Sequence, residues 1–159
     1  MNKILRTTIS IGILLILNNC GFKVVKNNYE KNFKTVTLTA VGDNNINFII
    51  KNKLKKNNPK DNDIFNVDIN ISTDKKISVK EKNINNKVTK YKIEIKTKVE
   101  LFVINLGENI KFEIKSHGDY SSSNQINKQK YNEKVLIKRL AENISNEILK
   151  RTINRLNDL

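Results

Sequence analysis

Three observations predict an α+β fold: a two-layer sandwich of order β-α-β-β-β-α, with one mostly antiparallel four-stranded sheet and two helices packed on one face. The first is the stretch Lys90–Ile104, where Tyr91, Ile93, Ile95, Thr97, Val99, Leu101 and Val103 alternate with Lys90, Lys92, Glu94, Lys96, Lys98 and Glu100. Successive side chains of a strand point to opposite faces, so this is one long strand with a dry side and a charged side. Second, alternating segments recur before and after it across short polar turns, which is the layout of an antiparallel meander. Third, the apolar period changes to 3.6 in two other stretches, the mark of helices that each bury one stripe. One sheet with both helices on its dry face satisfies every stripe.

Each element has its own local reason. In Thr35–Val41, Val36, Leu38 and Ala40 alternate with Thr35, Thr37 and Thr39, giving a first strand that ends at Gly42. Asp43, Asn44 and Asn45 offer N-caps to a helix with Ile46, Ile49, Ile50 and Leu54 at helical spacing. That helix should stop near Asn57-Asn58, because Pro59 disfavours helical backbone in the residue before it. Ile64–Lys80 returns to the two-residue period, with Phe65, Val67, Ile69 and Ile71 on one face; Ile77 and Val79 keep that parity after a polar break at Ser72–Lys76. Glu81–Asn86 is the turn into the long strand, and Asn105–Asn109, with Gly107, is the turn out of it. Ile110–Ser116 is the fourth strand, with Ile110, Phe112 and Ile114 inward; His117–Gln129 reads as a polar loop. From Lys130 to Leu156 the stripe of Leu136, Leu140, Ile144, Ile148, Leu149, Ile153 and Leu156 defines the last helix.

A chain of 159 residues suits one domain and one core. Lys and Arg number 30 against 16 Asp and Glu, a net charge of +14, which predicts attraction to anions such as nucleic acid, acidic lipid or phosphorylated glycan. One Cys excludes an internal disulfide and a cysteine-based zinc cluster, and no other metal or cofactor motif is present. His117 is the sole histidine, and its neighbours Asp119 and Ser121–Ser123 share a loop without forming a triad. With no glycine-rich phosphate loop and no paired-carboxylate spacing, the chain reads as a non-enzyme.

The N-terminus is built differently. Lys3 and Arg6 form a basic start, Ile9–Leu17 is nearly all aliphatic, and Asn18, Asn19 and Cys20 follow, which is the layout of a secretory signal peptide. The apolar run is too short for a membrane-spanning helix, which needs about 20 residues. Cys20 directly after it resembles the lipobox of bacterial lipoproteins, in which the Cys is acylated and becomes the mature N-terminus; Leu17 suits that pattern, while Asn19 stands where Gly, Ala or Ser is usual. The alternative is an uncleaved signal anchor with an incidental Cys. The expected organisation is a lipoprotein signal over 1–19, an acylated N-terminus and tether over 20–34, and one α+β domain over 35–159. Cleavage would remove Lys3 and Arg6 and lower the charge from +14 to +12. In similar lipoproteins an Asp after the Cys favours inner-membrane retention; Gly21 therefore implies the outer membrane.

Together, Cys20-Gly21-Phe22, the paired long strands, Asp119-Tyr120-Ser121, and Tyr131 leading into the C-terminal helix resemble the LPS-assembly lipoprotein family, LptE. The resemblance spans nearly the whole chain and rests on the order of its parts. It implies an outer-membrane lipoprotein on the periplasmic side that plugs the LptD β-barrel, supports its assembly and helps deliver lipopolysaccharide to the outer leaflet. It also implies basic residues near one end of the sheet that meet lipopolysaccharide phosphates. The meander places Lys80, Lys82 and Lys87 at the same end as Lys128 and Lys130, where clustered ammonium groups would bind phosphate as point charges; a solvated like-charged turn is the other reading.

The charged face of the long strand, Lys90, Lys92, Lys96 and Lys98 with Glu94 and Glu100, suits either the polar interior of a partner barrel or an open solvated sheet face. Phe102 and Ile104 break that pattern, either as a contact patch or as packing under a loop. A basic nucleic-acid-binding domain is the rival class. A secretory signal and the lack of an exposed aromatic pair for base stacking weigh against nucleic acid as the partner.

Overall fold

The computed structural model describes residues 33–56 and 65–159; the signal segment, Cys20, most of the expected tether, and the stop at Asn57-Asn58 before Pro59 lie outside the described residues. The element order is β1 (Phe33–Gly42), α1 (Asn44–Lys55), β2 (Phe65–Lys82), β3 (Val88–Val103), β4 (Glu108–Ser121) and α2 (Ile126–Asn157). The four strands form one sheet in the order β1-β2-β3-β4. β1 runs parallel to β2, a pairing that needs a crossover, which α1 supplies; β2, β3 and β4 pair antiparallel through short turns. The α+β layout expected from the periodicities is the one formed.

Both helices cover the same face, α1 over β1 and β2, α2 over β4 and β3, and they touch each other. That face buries Val67, Ile69 and Ile71 of β2, Ile93, Ile95, Val99, Leu101 and Val103 of β3, and Ile114 and Tyr120 of β4. Ile46, Ile50 and Leu54 of α1 and Leu136, Leu140, Ile144, Ile148 and Leu156 of α2 close the core from above. Length matching makes this possible. β3 has 16 residues and reaches about 53 Å; α2 has 32 and reaches about 48 Å, so one helix spans the long strands.

A polar node ends β1 halfway along β2. Gly42 sits at φ 111° opposite Thr73, and a Cβ there would stand 1.9 Å from the Thr73 carbonyl oxygen, so only glycine lets the chain leave the sheet at this point. Asp43 then caps α1, accepting the amides of Asn45 at 3.0 Å and Ile46 at 3.1 Å. The Thr73 hydroxyl accepts the Asp43 amide at 3.2 Å and donates to Asn47 Oδ1 at 2.8 Å.

The structure moves several boundaries. β1 starts at Phe33, β2 is continuous through Ser72–Lys76 and on to Lys82, and β3 starts at Val88. β4 does not stop at Ser116: His117 pairs with Glu94, Gly118 with Ile93, Asp119 with Lys92 and Ser121 with Lys90. Ser, Gly and Asp are turn formers by local preference, but a full-length ladder against β3 outweighs that preference. Gly118 also serves packing, since a Cβ there would lie 2.8 Å from Leu136 Cδ1; its absence lets α2 approach β4. The last helix begins at Ile126, so Lys128 is helical rather than in a loop. Ile77 and Val79 have the inward parity but remain 40% and 48% exposed, because β1 and α1 do not extend over that part of β2.

Candidate functional site

The sheet has two distinct ends. At the entry end lie Phe33, the start of β2 and the β3–β4 turn; at the hairpin end lie the β2–β3 turn, the last residues of β4 and the first turns of α2. The hairpin turn is held by Asn83, whose side-chain oxygen accepts the amides of Asn85 at 3.0 Å and Lys87 at 2.9 Å, with Asn86 at φ 61°. At its tip Ile84 is fully exposed, an apolar feature that the polar turn composition hides.

Topology brings all five expected basic residues to the hairpin end. Lys80 and Lys82 end β2, Lys87 precedes β3, and Lys128 and Lys130 stand in the opening turns of α2. They are not equivalent. Lys80 pairs with Asp119 across the sheet, which raises the Lys80 ammonium above its ordinary value. The same hydrogen bond, opposed by desolvation, lowers the Asp119 carboxyl. Lys82, Lys87, Lys128 and Lys130 form no ion pair among the described residues. The first turn of α2 has no acidic residue and its Gln125 cap makes no side-chain hydrogen bond. Cations there oppose the helix dipole, so the local choice costs helix stability while raising the positive potential at this end.

The opening half of α2 forms a ridge with a groove on each side. One groove, about 310 Å³, runs along the end of β4 and is lined by Asp119, Ser121, Tyr131, Asn132, Val135 and Arg139. The other, about 350 Å³, lies toward β2 and is lined by Asn45, Lys75, Lys130, Glu133, Lys134 and Ile137. Beneath the ridge Tyr120 stacks on Tyr91 with centroids 5.4 Å apart. Burial, the Glu133 carboxylate, the Tyr91 ring and a hydrogen bond to Glu133 push the Tyr120 hydroxyl up to about 12. Arg139, Lys75, Lys134 and Glu133 were not singled out by sequence pattern. Their positions at the helix-facing grooves depend on how α2 crosses the sheet.

The uncovered face of the sheet is polar and laced by ion pairs. Lys96 Nζ lies 3.0 Å from Glu113 Oε2, Lys111 Nζ 2.8 Å from Glu100 Oε1, Lys90 Nζ 2.9 Å from Glu81 Oε2 and Lys92 Nζ 3.5 Å from Glu94 Oε2. The Lys96 hydrogen bond, against desolvation and with help from Lys115, lowers the Glu113 carboxyl. Lys98 has no ion pair among the described residues. Phe102 and Ile104 are 42% and 43% exposed at the entry end of this face, and Leu106 is exposed beside them in the β3–β4 turn. The contact-patch reading requires that exposure.

No family model matches the chain, and no curated protein matches it in sequence. Solved structures match it in fold. Rare lipoprotein B from Shewanella oneidensis is 12% identical with a TM-score of 0.63, over 79% of this chain and 98% of that one. Lipoprotein B from Nitrosomonas europaea, uncharacterised in function, is 15% identical with a TM-score of 0.60, over 86% of this chain and 93% of that one. A Caulobacter crescentus protein described as a lipoprotein is 11% identical with a TM-score of 0.54, over 82% and 93%. The shared property is the fold.

Proposed function

We propose that the chain is an outer-membrane lipoprotein, acylated at Cys20 and facing the periplasm, which seats in an LptD-type β-barrel, assists its assembly and helps pass lipopolysaccharide to the outer leaflet. Its work is binding and assembly rather than catalysis. The observation that carries this reading is the likeness in fold to the Shewanella lipoprotein over 98% of that chain, joined here to a signal-like segment ending at Cys20.

Geometry supports the reading in two further ways. An acylated Cys20 would tether the domain through Phe33, at the entry end, leaving the hairpin end about 50 Å farther off along the 16 residues of β3. That far end carries Lys82, Lys87, Lys128 and Lys130 without ion-pair partners among the described residues, and these suit the phosphates of a glycolipid. The ion-paired open face suits the water-lined interior of a large barrel, where hydrated charged side chains are tolerated.

The test is an affinity pull-down of the C-terminally tagged full chain from detergent-solubilised envelope, with mass spectrometry of its partners and its N-terminal peptide. A stoichiometric large β-barrel with acylated Cys20 is the expected result. Acylated Cys20 without a barrel would remove the assembly role and leave an envelope lipoprotein with another partner. An unprocessed N-terminus with nucleic acid in the eluate would overturn both.

A further inference from the structure

The sheet has three edge segments, on β4, β1 and the far half of β2, and they are treated differently. The edge of β4 is covered by α2: Arg151 Nη1 donates to the Glu113 carbonyl at 3.0 Å, and Asn132 Nδ2 donates to the Ser121 carbonyl at 3.3 Å. The edge of β1 is broken by an irregularity between Thr35 and Leu38, where the Thr37 amide turns to Asp68 Oδ1 at 3.0 Å. Such bulges and covers are the usual protection of a strand edge. β2 from Asp74 to Val79 has neither. It pairs regularly with β3 from Asp74 opposite Lys96 to Val79 opposite Tyr91, and irregularity begins only after Val79. β1 has already left the sheet at Gly42, so no described strand or side chain meets the outer peptide groups of this run.

We propose that the free edge of β2, Asp74–Val79, takes up an extended acidic peptide segment of a partner protein as an added strand, with Ile77 and Val79 under its apolar side chains. The stretch is about the length of an ordinary strand and continues the line of β1, so the added backbone finds its hydrogen bonds ready-made. The inward side chains of the added strand would lie beside Ile77 and Val79, which the fold leaves half-exposed. With its apolar side chains inward, an alternating strand puts its carboxylates on the open face, where Lys76 has no ion pair among the described residues. Glu133 is already engaged with Tyr120, and Asp74 faces Lys96 across the ladder. A second copy of this chain is a poor occupant, because two edges bearing Lys75, Lys76 and Lys80 repel each other. A phosphorylated glycan could meet the lysines but could not use the peptide groups.

The test uses the full chain and a capped peptide of about ten residues alternating Glu and Val, with a version N-methylated at alternate residues and a Lys-Val version as controls. The Glu-Val peptide should bind and slow hydrogen exchange in 74–79. N-methylation should weaken it at least about tenfold, the equivalent of roughly one hydrogen bond. Ile77→Glu with Val79→Glu, both at exposed positions, should weaken it comparably, and Leu106→Glu, exposed in the β3–β4 turn at the other end of the sheet, should not. Absence of binding, equal binding of the N-methylated or Lys-Val peptide, or binding without protection of 74–79 would each overturn the inference. Loss of protection-linked binding leaves the barrel pull-down unaffected, so the two readings fail separately.

Discussion

Thr73 on β2 donates its hydroxyl to Asn47 Oδ1 on α1 at 2.8 Å while accepting the Asp43 amide, and both side chains are buried, Thr73 at 6% and Asn47 at 6% exposure. This bond fixes where β1 gives way to α1, and therefore where β2 loses its outer neighbour. Thr73→Val keeps the shape but leaves Asn47 Oδ1 and the Asp43 amide without that partner. We expect a loss of about 1–3 kcal/mol in denaturant unfolding. Gly42→Ala should cost at least about 2 kcal/mol, from the positive φ and the close Thr73 carbonyl together.

Asp43 links the helix cap to the sheet, with Lys75 Nζ 2.7 Å from its Oδ2. Burial raises its carboxyl, but the Lys75 hydrogen bond and charge and the Ile46 and Asn45 amides outweigh burial and hold it below the ordinary 3.8. Because the folded value is lowered, the contribution of Asp43 is complete above the ordinary value and is lost as pH falls through the folded one. Asp43→Ala should cost about 1 kcal/mol at neutral pH, and its stability gap from the parent should narrow in acid. Urea midpoints from pH 7 down to pH 3 would check this; a gap that is constant with pH would contradict it.

Tyr120 should titrate late. Its folded value of about 12 lies above the ordinary 10.0, so it favours the fold below pH 10 and that contribution is lost as pH rises through 12. In a spectrophotometric titration, Glu133→Gln should bring the transition of Tyr120 down toward the ordinary value, because a carboxylate beside the phenol no longer opposes its ionisation. An unmoved transition would leave burial and Tyr91 as the causes.

Thr97 sits in the middle of β3, fully buried, and its hydroxyl has no hydrogen-bond partner among the described residues. A buried unsatisfied hydroxyl carries a desolvation cost, and valine has nearly the same shape. Thr97→Val should therefore stabilise the protein, by about 1 kcal/mol, in thermal or denaturant unfolding. Destabilisation would indicate a partner for the hydroxyl.

Uncovered lysines at the hairpin end make a functional contrast testable. Replacing Lys82, Lys87, Lys128 and Lys130 by Gln should leave the thermal midpoint unchanged or slightly raised, since none of them has an ion pair among the described residues and Lys128 and Lys130 oppose the dipole of α2. The same variant should bind vesicles carrying lipopolysaccharide more weakly, with the parent's binding falling as salt rises. Unchanged binding would assign these lysines to a solvated turn.

Sequence alone determined the class of every element, because strand and helix periods are local properties. The charge alternation of Lys90–Ile104 and the stripe from Leu136 to Leu156 each identify an element and its buried face without reference to the rest. Tertiary structure decided what those local signals do not contain. His117–Ser121 reads as loop by composition, yet pairing with β3 holds it as strand, and the missing Cβ of Gly118 admits Leu136. Ile77 and Val79 share the parity of Ile69 and Ile71, yet only the latter pair is buried, because Gly42 takes β1 out of the sheet before it reaches them. The two grooves beside α2 likewise depend on where one long helix crosses β3 and β4. Periodicity tells a residue which face it occupies; only the path of distant chain segments decides whether that face is covered.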